Sequence, residues 1–157
     1  MTFELREHTA DVAIEATAPT LSALFEAVAD GLAAASCESV PETGDRFAVT
    51  VSAESREALL FDFVDQLIYE RDVRLVLPVD HRCGVSCATD ESDSDDERNV
   101  DESDEATAGE SVWTVEATAR GVPLSDVAAR EIKAVTYSEM TVERRGDEWY
   151  AYVVLDV

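Results

Sequence analysis

Lysine is almost absent from this sequence. Eleven of its twelve basic residues are arginine, and they stand against 35 acidic residues, which gives 157 residues a formal net charge of -23. Self-repulsion of this size opposes compaction unless counterions are dense, and in about 1 M salt the screening length falls to roughly 3 Å. The composition therefore favours a halophile's cytoplasmic protein over an acidic protein of a mesophile. It also argues against direct, unassisted binding to nucleic acid, which needs clustered cations.

Long apolar runs and paired cysteines are also missing. No stretch approaches the ~20 apolar residues of a membrane span, and the first residues do not resemble a signal segment. The three cysteines are an odd number, so a disulfide framework is not expected. These features predict a protein of the reducing cytoplasm with no membrane association.

Residues 89–110 differ in composition from the rest of the chain. About half of them are acidic and almost none is apolar, so they cannot bury enough surface to offset the entropy of ordering. We expect a disordered insertion here. The whole chain is 46 % hydrophobic. Its length and composition predict one domain spanning 1–157 that contains this insertion.

Hydrophobic periodicity predicts two helices among several strands. One helix is expected over about 20–35 with Thr20 as N-cap, and a second after the N-cap Ser55. Alternating or apolar segments predict the strands, which are listed here: 2–7, 11–17, 46–53, 73–78, 82–88, 111–120 and 149–157. A short helix is expected near 124–130, and a Gly-Asp turn predicts a terminal hairpin. The predicted fold class is therefore a two-layer α+β domain, with the helices packed on one side of a mostly antiparallel sheet.

Asp11 and Asp156 are acidic residues at the ends of two predicted strands, near opposite ends of the sequence. If these strands pair, the two carboxylates converge beside the main chain of Val157, and they repel unless a cation joins them. A hard cation such as Ca²⁺ or Mg²⁺ prefers such oxygen ligands. The alternative is that both are ordinary surface residues of a very acidic chain.

Five segments, taken together, resemble the archease family. They are HTADVAIEA at 8–16, TLSALFEAVADGL at 20–32, LLFDFVDQLIYERD at 59–72, IKAVTYSEM at 132–140 and WYAYVVLDV at 149–157. The resemblance implies a strand-helix-strand-strand module with added strands. It also implies a protein that is not itself an enzyme but assists the RtcB-type RNA ligase of tRNA splicing, promoting its guanylylation and repeated turnover.

The resemblance also assigns residues. It implies a divalent cation, calcium first and magnesium or manganese as alternatives, held by Asp11, Asp156 and a main-chain oxygen of Val157. It points to Lys133 for contact with a phosphate or with the partner, although a chance ion-pair lysine is the alternative. His8 is a candidate to orient Asp11. Ser138 stands where the family usually has histidine, so a metal or acid-base role at that position is in doubt.

Other readings of the sequence remain open or are weak. A general acidic chaperone without a required metal is the main alternative, and a metal-dependent hydrolase is a third hypothesis that lacks a recognisable base or nucleophile. His81, Cys83 and Cys87 are too few and too widely spaced for structural zinc. The acidic run 93–97 has Arg98 where a calcium loop needs glycine.

Overall fold

A computed structural model describes residues 2–7, 11–88 and 112–157. The predicted acidic insertion at 89–110 and His8 lie outside these described residues. The described elements are β1 (Thr2–Glu7), β2 (Asp11–Ala18), α1 (Leu21–Ser36), β3 (Asp45–Ala53), α2 (Arg56–Arg74), β4 (Val76–Ala88), β5 (Val112–Pro123), β6 (Ala134–Arg145) and β7 (Glu148–Asp156). No helix in this described part is long and apolar enough to cross a membrane.

Both helices begin at the residues that the sequence predicts. The Thr20 hydroxyl accepts the N–H of Ala23 at 3.0 Å, and the Ser55 hydroxyl accepts the N–H of Ala58 at 3.1 Å. Each hydroxyl satisfies one of the amides that a helix N-terminus leaves without an intrahelical partner. The predictions of both N-caps are confirmed.

Two antiparallel sheets carry the helices. The four-stranded sheet has the order β1-β2-β7-β6, and the three-stranded sheet has the order β3-β5-β4. The predicted α+β class is confirmed, although the strands form two sheets where one was expected. Since β2 and β7 are neighbours, the first and last parts of the chain meet in the middle of the larger sheet.

The larger of two apolar clusters in the described residues lies between the helices and the sheets. Phe25 of α1 and Phe63 of α2 are fully buried and stack with ring centroids 5.9 Å apart. Alternate residues of both central strands face this core, as period-2 patterning requires, and these are Val12, Ile14, Ala16, Ala151, Val153 and Leu155. Asp11 and Asp156 are each one residue outside this alternating set, before Val12 and after Leu155, and consequently lie on the other face of the sheet.

The side of α1 supplies hydrogen-bond partners to the edge strand β4. Ser22, Glu26 and Asp30 accept the N–H groups of Val85, Cys83 and His81 at 2.9, 2.9 and 3.2 Å. Four helical residues rise about 6 Å and two strand residues about 6.6 Å, so the two repeats match. The match satisfies an edge that would otherwise expose unpaired backbone groups.

Two predicted elements are wrong in extent. β4 is one strand of 13 residues, not two short ones, because a register shift between Val79 and Arg82 absorbs the irregular segment. Its first predicted residues, 73–74, belong to α2. The helix expected at 124–130 is a single 3-10 turn at Leu124–Asp126, since the N–H of Arg130 donates to Ser36 of α1 instead of to a helical carbonyl.

Candidate functional site

Asp11 and Asp156 lie directly opposite each other at one edge of the four-stranded sheet. Asp11 begins β2, Asp156 ends β7, and the two are register partners in the antiparallel pair. Residues opposed in this way project from the same face, with Cβ atoms roughly 4.5–5.5 Å apart. Both are half-buried. The strand pairing that the sequence analysis required for their convergence is present.

Lys133 joins this edge through its main chain. Its N–H donates to the carbonyl oxygen of Asp156 at 2.8 Å, and the following residue, Ala134, is the register partner of Asp156 on β6. The Lys133 side chain is exposed. Lys133, the single lysine of the chain, therefore immediately precedes the β6 residue that pairs with Asp156.

Val157 follows Asp156 and packs its half-buried side chain against the core. This packing anchors the residue, so the ligand it can offer next to Asp156 is a main-chain oxygen. Two carboxylates and a main-chain oxygen suit a hard, oxygen-seeking cation.

The side chains of the described residues do not by themselves complete a coordination shell. Within residues 2–7, 11–88 and 112–157, no group of three or more His, Cys, Asp or Glu side chains is arranged to hold a metal ion. A cation held by Asp11 and Asp156 would need further ligands besides these described side chains, such as the main-chain oxygen of Val157.

The β6 segment after Lys133 bulges away from β7. Between the pairs Thr136–Val154 and Thr141–Tyr152, four residues of β6 oppose one residue of β7. Ser138 is exposed on this bulge, and Glu139 has a positive φ of 62°. Bulges of this kind re-aim side chains near functional edges. Ser138 thus lies in solvent on the strand that leads from the acidic edge.

His81 and Cys83 belong to the α1–β4 contact. Nδ1 of the buried His81 lies 2.8 Å from Asp30 Oδ1, so this nitrogen is already engaged. Burial, together with the nearby carboxylates of Glu26 and Asp30, raises the pKa of the Cys83 thiol far above its ordinary value. Cys87 is exposed. These residues support the strand edge and keep the Cys83 thiol protonated.

The Archease protein family matches residues 3–157 as a sequence profile. This chain belongs to the archease family. Proteins named archease from Methanosarcina acetivorans and Pyrococcus furiosus are 28% and 27% identical to it. Each alignment covers 99% of this chain, and 95% and 98% of the relative respectively. An archease from Thermococcus gammatolerans is 29% identical, with 99% and 98% covered.

Solved structures of the family share the fold. The solution structure of Methanobacterium thermoautotrophicum protein 1598 superposes with a TM-score of 0.69 at 22% identity, covering 99% of this chain and 98% of that one. The crystal structure of a Thermotoga maritima archease, described as a possible chaperone, gives 0.53 at 22% identity, with 97% and 94% covered. The family resemblance read from the sequence is confirmed.

Arg71 holds the segment that leads into the candidate site, and the sequence analysis did not predict this role. It is 7% exposed, and its Nη2 donates to the carbonyl of Ile132 at 3.1 Å and to Asp72 Oδ1 at 3.0 Å. It thereby fixes the residue immediately before Lys133. The available signal was its position on the apolar side of α2, where a lone arginine requires a partner.

Proposed function

We propose that this archease-family protein is a non-catalytic partner that activates an RtcB-type RNA ligase, promoting ligase guanylylation and repeated turnover. The observation that carries the proposal is the direct opposition of Asp11 and Asp156 at one sheet edge. Together with membership of the archease family, it supports a divalent cation at these carboxylates and at the main-chain oxygen of Val157.

The arrangement suits a role next to a nucleotide. Asp11 and Asp156 would hold the cation, which when bound supplies positive charge beside phosphate oxygens. The exposed Lys133 ammonium is placed to contact a phosphate or an acidic group of the partner. A partner shifts a conformational equilibrium only by its differential affinity for the two states. We infer that these three residues provide that difference for the ligase form that accepts guanylate.

The chemistry of the described residues supports a helper more than a catalyst. His81, the one histidine within those residues, is 4% exposed and engaged with Asp30. The raised pKa of Cys83 removes that thiol as a nucleophile at neutral pH. A phosphoester hydrolase needs an accessible base or nucleophile, and neither side chain serves as one.

A general chaperone with apolar clients is the second candidate. It is favoured by exposed apolar side chains on and beside α2, among them Tyr69 and Val73, which are 57% and 59% exposed. Such a protein would bind clients without needing Asp11 or Asp156.

Ligase guanylylation at high salt, with this protein at substoichiometric amounts, tests the proposal. Asp11→Asn and Asp156→Asn are compared with Asp147→Asn. This control removes the same charge from the exposed turn that precedes β7, at the opposite end of the strand from Asp156. We expect stimulation by the wild type and by Asp147→Asn, and its loss in the other two variants. Equal stimulation by all folded variants would contradict the role of the acidic pair and favour the chaperone.

A further inference from the structure

Exposed apolar side chains are concentrated around α2. Six large hydrophobic residues are exposed in the described ranges, and four of them lie on this helix, directly after it or against it. The four are Tyr69 at 57%, Val73 at 59%, Leu75 at 65% and Tyr137 at 51%. A cluster of this kind on an otherwise strongly acidic surface marks an interaction site.

We group these four residues with the partly buried Phe61 and call the set the α2 ridge: Phe61, Tyr69, Val73, Leu75 and Tyr137. Tyr69 and Val73, spaced by four, are neighbours on one face of the helix, and Phe61 lies about two turns before Tyr69. Tyr137, from the β6 bulge, stacks on Phe61 with ring centroids 5.0 Å apart and extends the ridge toward the sheet.

Leu75 ends the ridge in a conformation that favours glycine. It is the C-cap of α2, with φ 59° and ψ 43°, and its N–H donates to the Arg71 carbonyl at 2.8 Å. A residue with a Cβ is disfavoured in this left-handed region, because its Cβ comes too close to the following carbonyl oxygen. Because the side chain is also 65% exposed, neither backbone geometry nor core packing explains leucine here.

Carboxylates alternate with the apolar residues of the ridge. Asp62, Asp65 and Asp72 are exposed on the same side of α2. Asp72 pairs with the guanidinium of Arg71, whereas Asp62 and Asp65 have no ion-pair partner among the described residues. A surface on which carboxylates lie between apolar side chains is complementary to a segment in which cationic side chains lie between apolar ones.

The ridge and the acidic edge share strand β6, since Tyr137 lies on this strand and Ala134, which begins it, is the register partner of Asp156. Arg71 reaches from the buried side of α2 to the carbonyl of Ile132, and the next residue, Lys133, donates its N–H to Asp156. A single partner can therefore engage the Asp11–Asp156 edge and the ridge together.

We propose that the α2 ridge is the docking surface for the protein partner, and that it binds a segment in which arginine or lysine flanks apolar side chains. The inference rests on the proposed function, because that partner is taken to be the RtcB-type ligase. The ridge supplies affinity through apolar burial, while Asp62 and Asp65 supply orientation and salt-sensitive attraction.

Binding of the full-length protein to the immobilised ligase tests this surface. The combined Tyr69→Ser and Val73→Ser variant is expected to bind at least tenfold more weakly than the wild type. Val112→Ser, which removes an apolar residue that is 41% exposed at the start of β5, is the matched control and should bind normally. Asp62→Asn with Asp65→Asn should weaken binding more at lower salt than at high salt.

Leu75→Gly separates docking from folding. Glycine relaxes the left-handed C-cap, so the variant should unfold at the same or a higher temperature while binding the ligase about threefold more weakly. A loss of binding therefore cannot be assigned to loss of fold.

The outcomes distinguish this inference from the proposed function. Wild-type binding with unchanged affinity in the serine and glycine variants would overturn the ridge and leave the ligase role standing. Absence of any wild-type binding would overturn both. Weaker binding in the ridge variants, with normal binding but no stimulation in Asp156→Asn, would establish two separate contributions.

Discussion

Asp11 and Asp156 are direct register partners, although they come from opposite ends of the sequence. Their opposition is a consequence of the sheet order, in which β2 and β7 are the two central strands. Like charges directly opposite each other destabilise an antiparallel pair unless something neutralises them. The fold therefore retains two carboxylates where a cation, or a cationic group of a partner, is the natural complement.

The environment of Tyr150 leads us to expect that the folded protein loses stability at alkaline pH. Its hydroxyl donates to Glu15 Oε2 at 2.8 Å, and burial, followed by this carboxylate, raises the pKa of Tyr150 to about 12. In the unfolded chain a tyrosine pKa is about 10, so the folded protein holds this proton more tightly. The resulting stability is present below about pH 10 and is lost as the pH rises toward about 12.

Urea unfolding at high salt between pH 8 and 12 measures this effect. Tyr150→Phe should remove its part of the alkaline loss and lower the neutral stability by roughly 1–2 kcal/mol through the lost hydrogen bond. Tyr69→Phe, which removes an exposed phenol from α2, is the control and should keep the wild-type slope. Identical slopes in all three proteins would contradict the raised pKa of Tyr150.

Removal of the Glu26 carboxylate should weaken the protection of a backbone amide in the edge strand β4. Its carboxylate accepts the N–H of Cys83, and Glu26→Ala leaves that amide without a protein partner, at an expected cost of about 1–3 kcal/mol. Hydrogen exchange should show faster exchange of the Cys83 amide in Glu26→Ala than in Glu26→Gln, which keeps an acceptor. Glu38→Ala, at an exposed position after α1, should leave this amide protected. Unchanged Cys83 exchange in the alanine variant would refute the contact.

The cysteines differ in predicted reactivity. Because the pKa of Cys83 is raised by burial and by two carboxylates, its thiol should resist iodoacetamide at pH 8 in the native protein, whereas the exposed Cys87 should react. Peptide mapping by mass spectrometry reads both sites in one sample. Comparable labelling of the two thiols before unfolding would count against the buried α1–β4 contact.

Local sequence signals predicted the elements that local interactions determine. Thr20 and Ser55 cap helices because a short hydroxyl side chain reaches the amide three residues on, whatever lies around it. The Gly-Asp pair forms the hairpin because Gly146 adopts a φ of 62° between β6 and β7.

The features that the sequence did not predict depend on contacts between residues far apart in the chain. β4 continues through Asp80 because Arg46 of β3 donates to both its carboxylate and its carbonyl at 2.8 Å. From the sequence, two aspartates at strand ends could either converge or be ordinary surface residues. The register of β2 and β7, which pairs Asp11 with Asp156, decides for convergence. Arg71 was not predicted because its partner, the Ile132 carbonyl, is a main-chain atom brought close by folding.

Calorimetric titration with Ca²⁺ at high salt shows whether Asp11 and Asp156 form one cation site. We expect a single saturable site in the wild type and in Asp147→Asn, and its loss in both Asp11→Asn and Asp156→Asn. Mn²⁺ and Mg²⁺ titrations of the same four proteins show which ion the pair prefers. Saturable binding that survives in either edge variant, or no such binding in the wild type with any of these ions, would contradict the account.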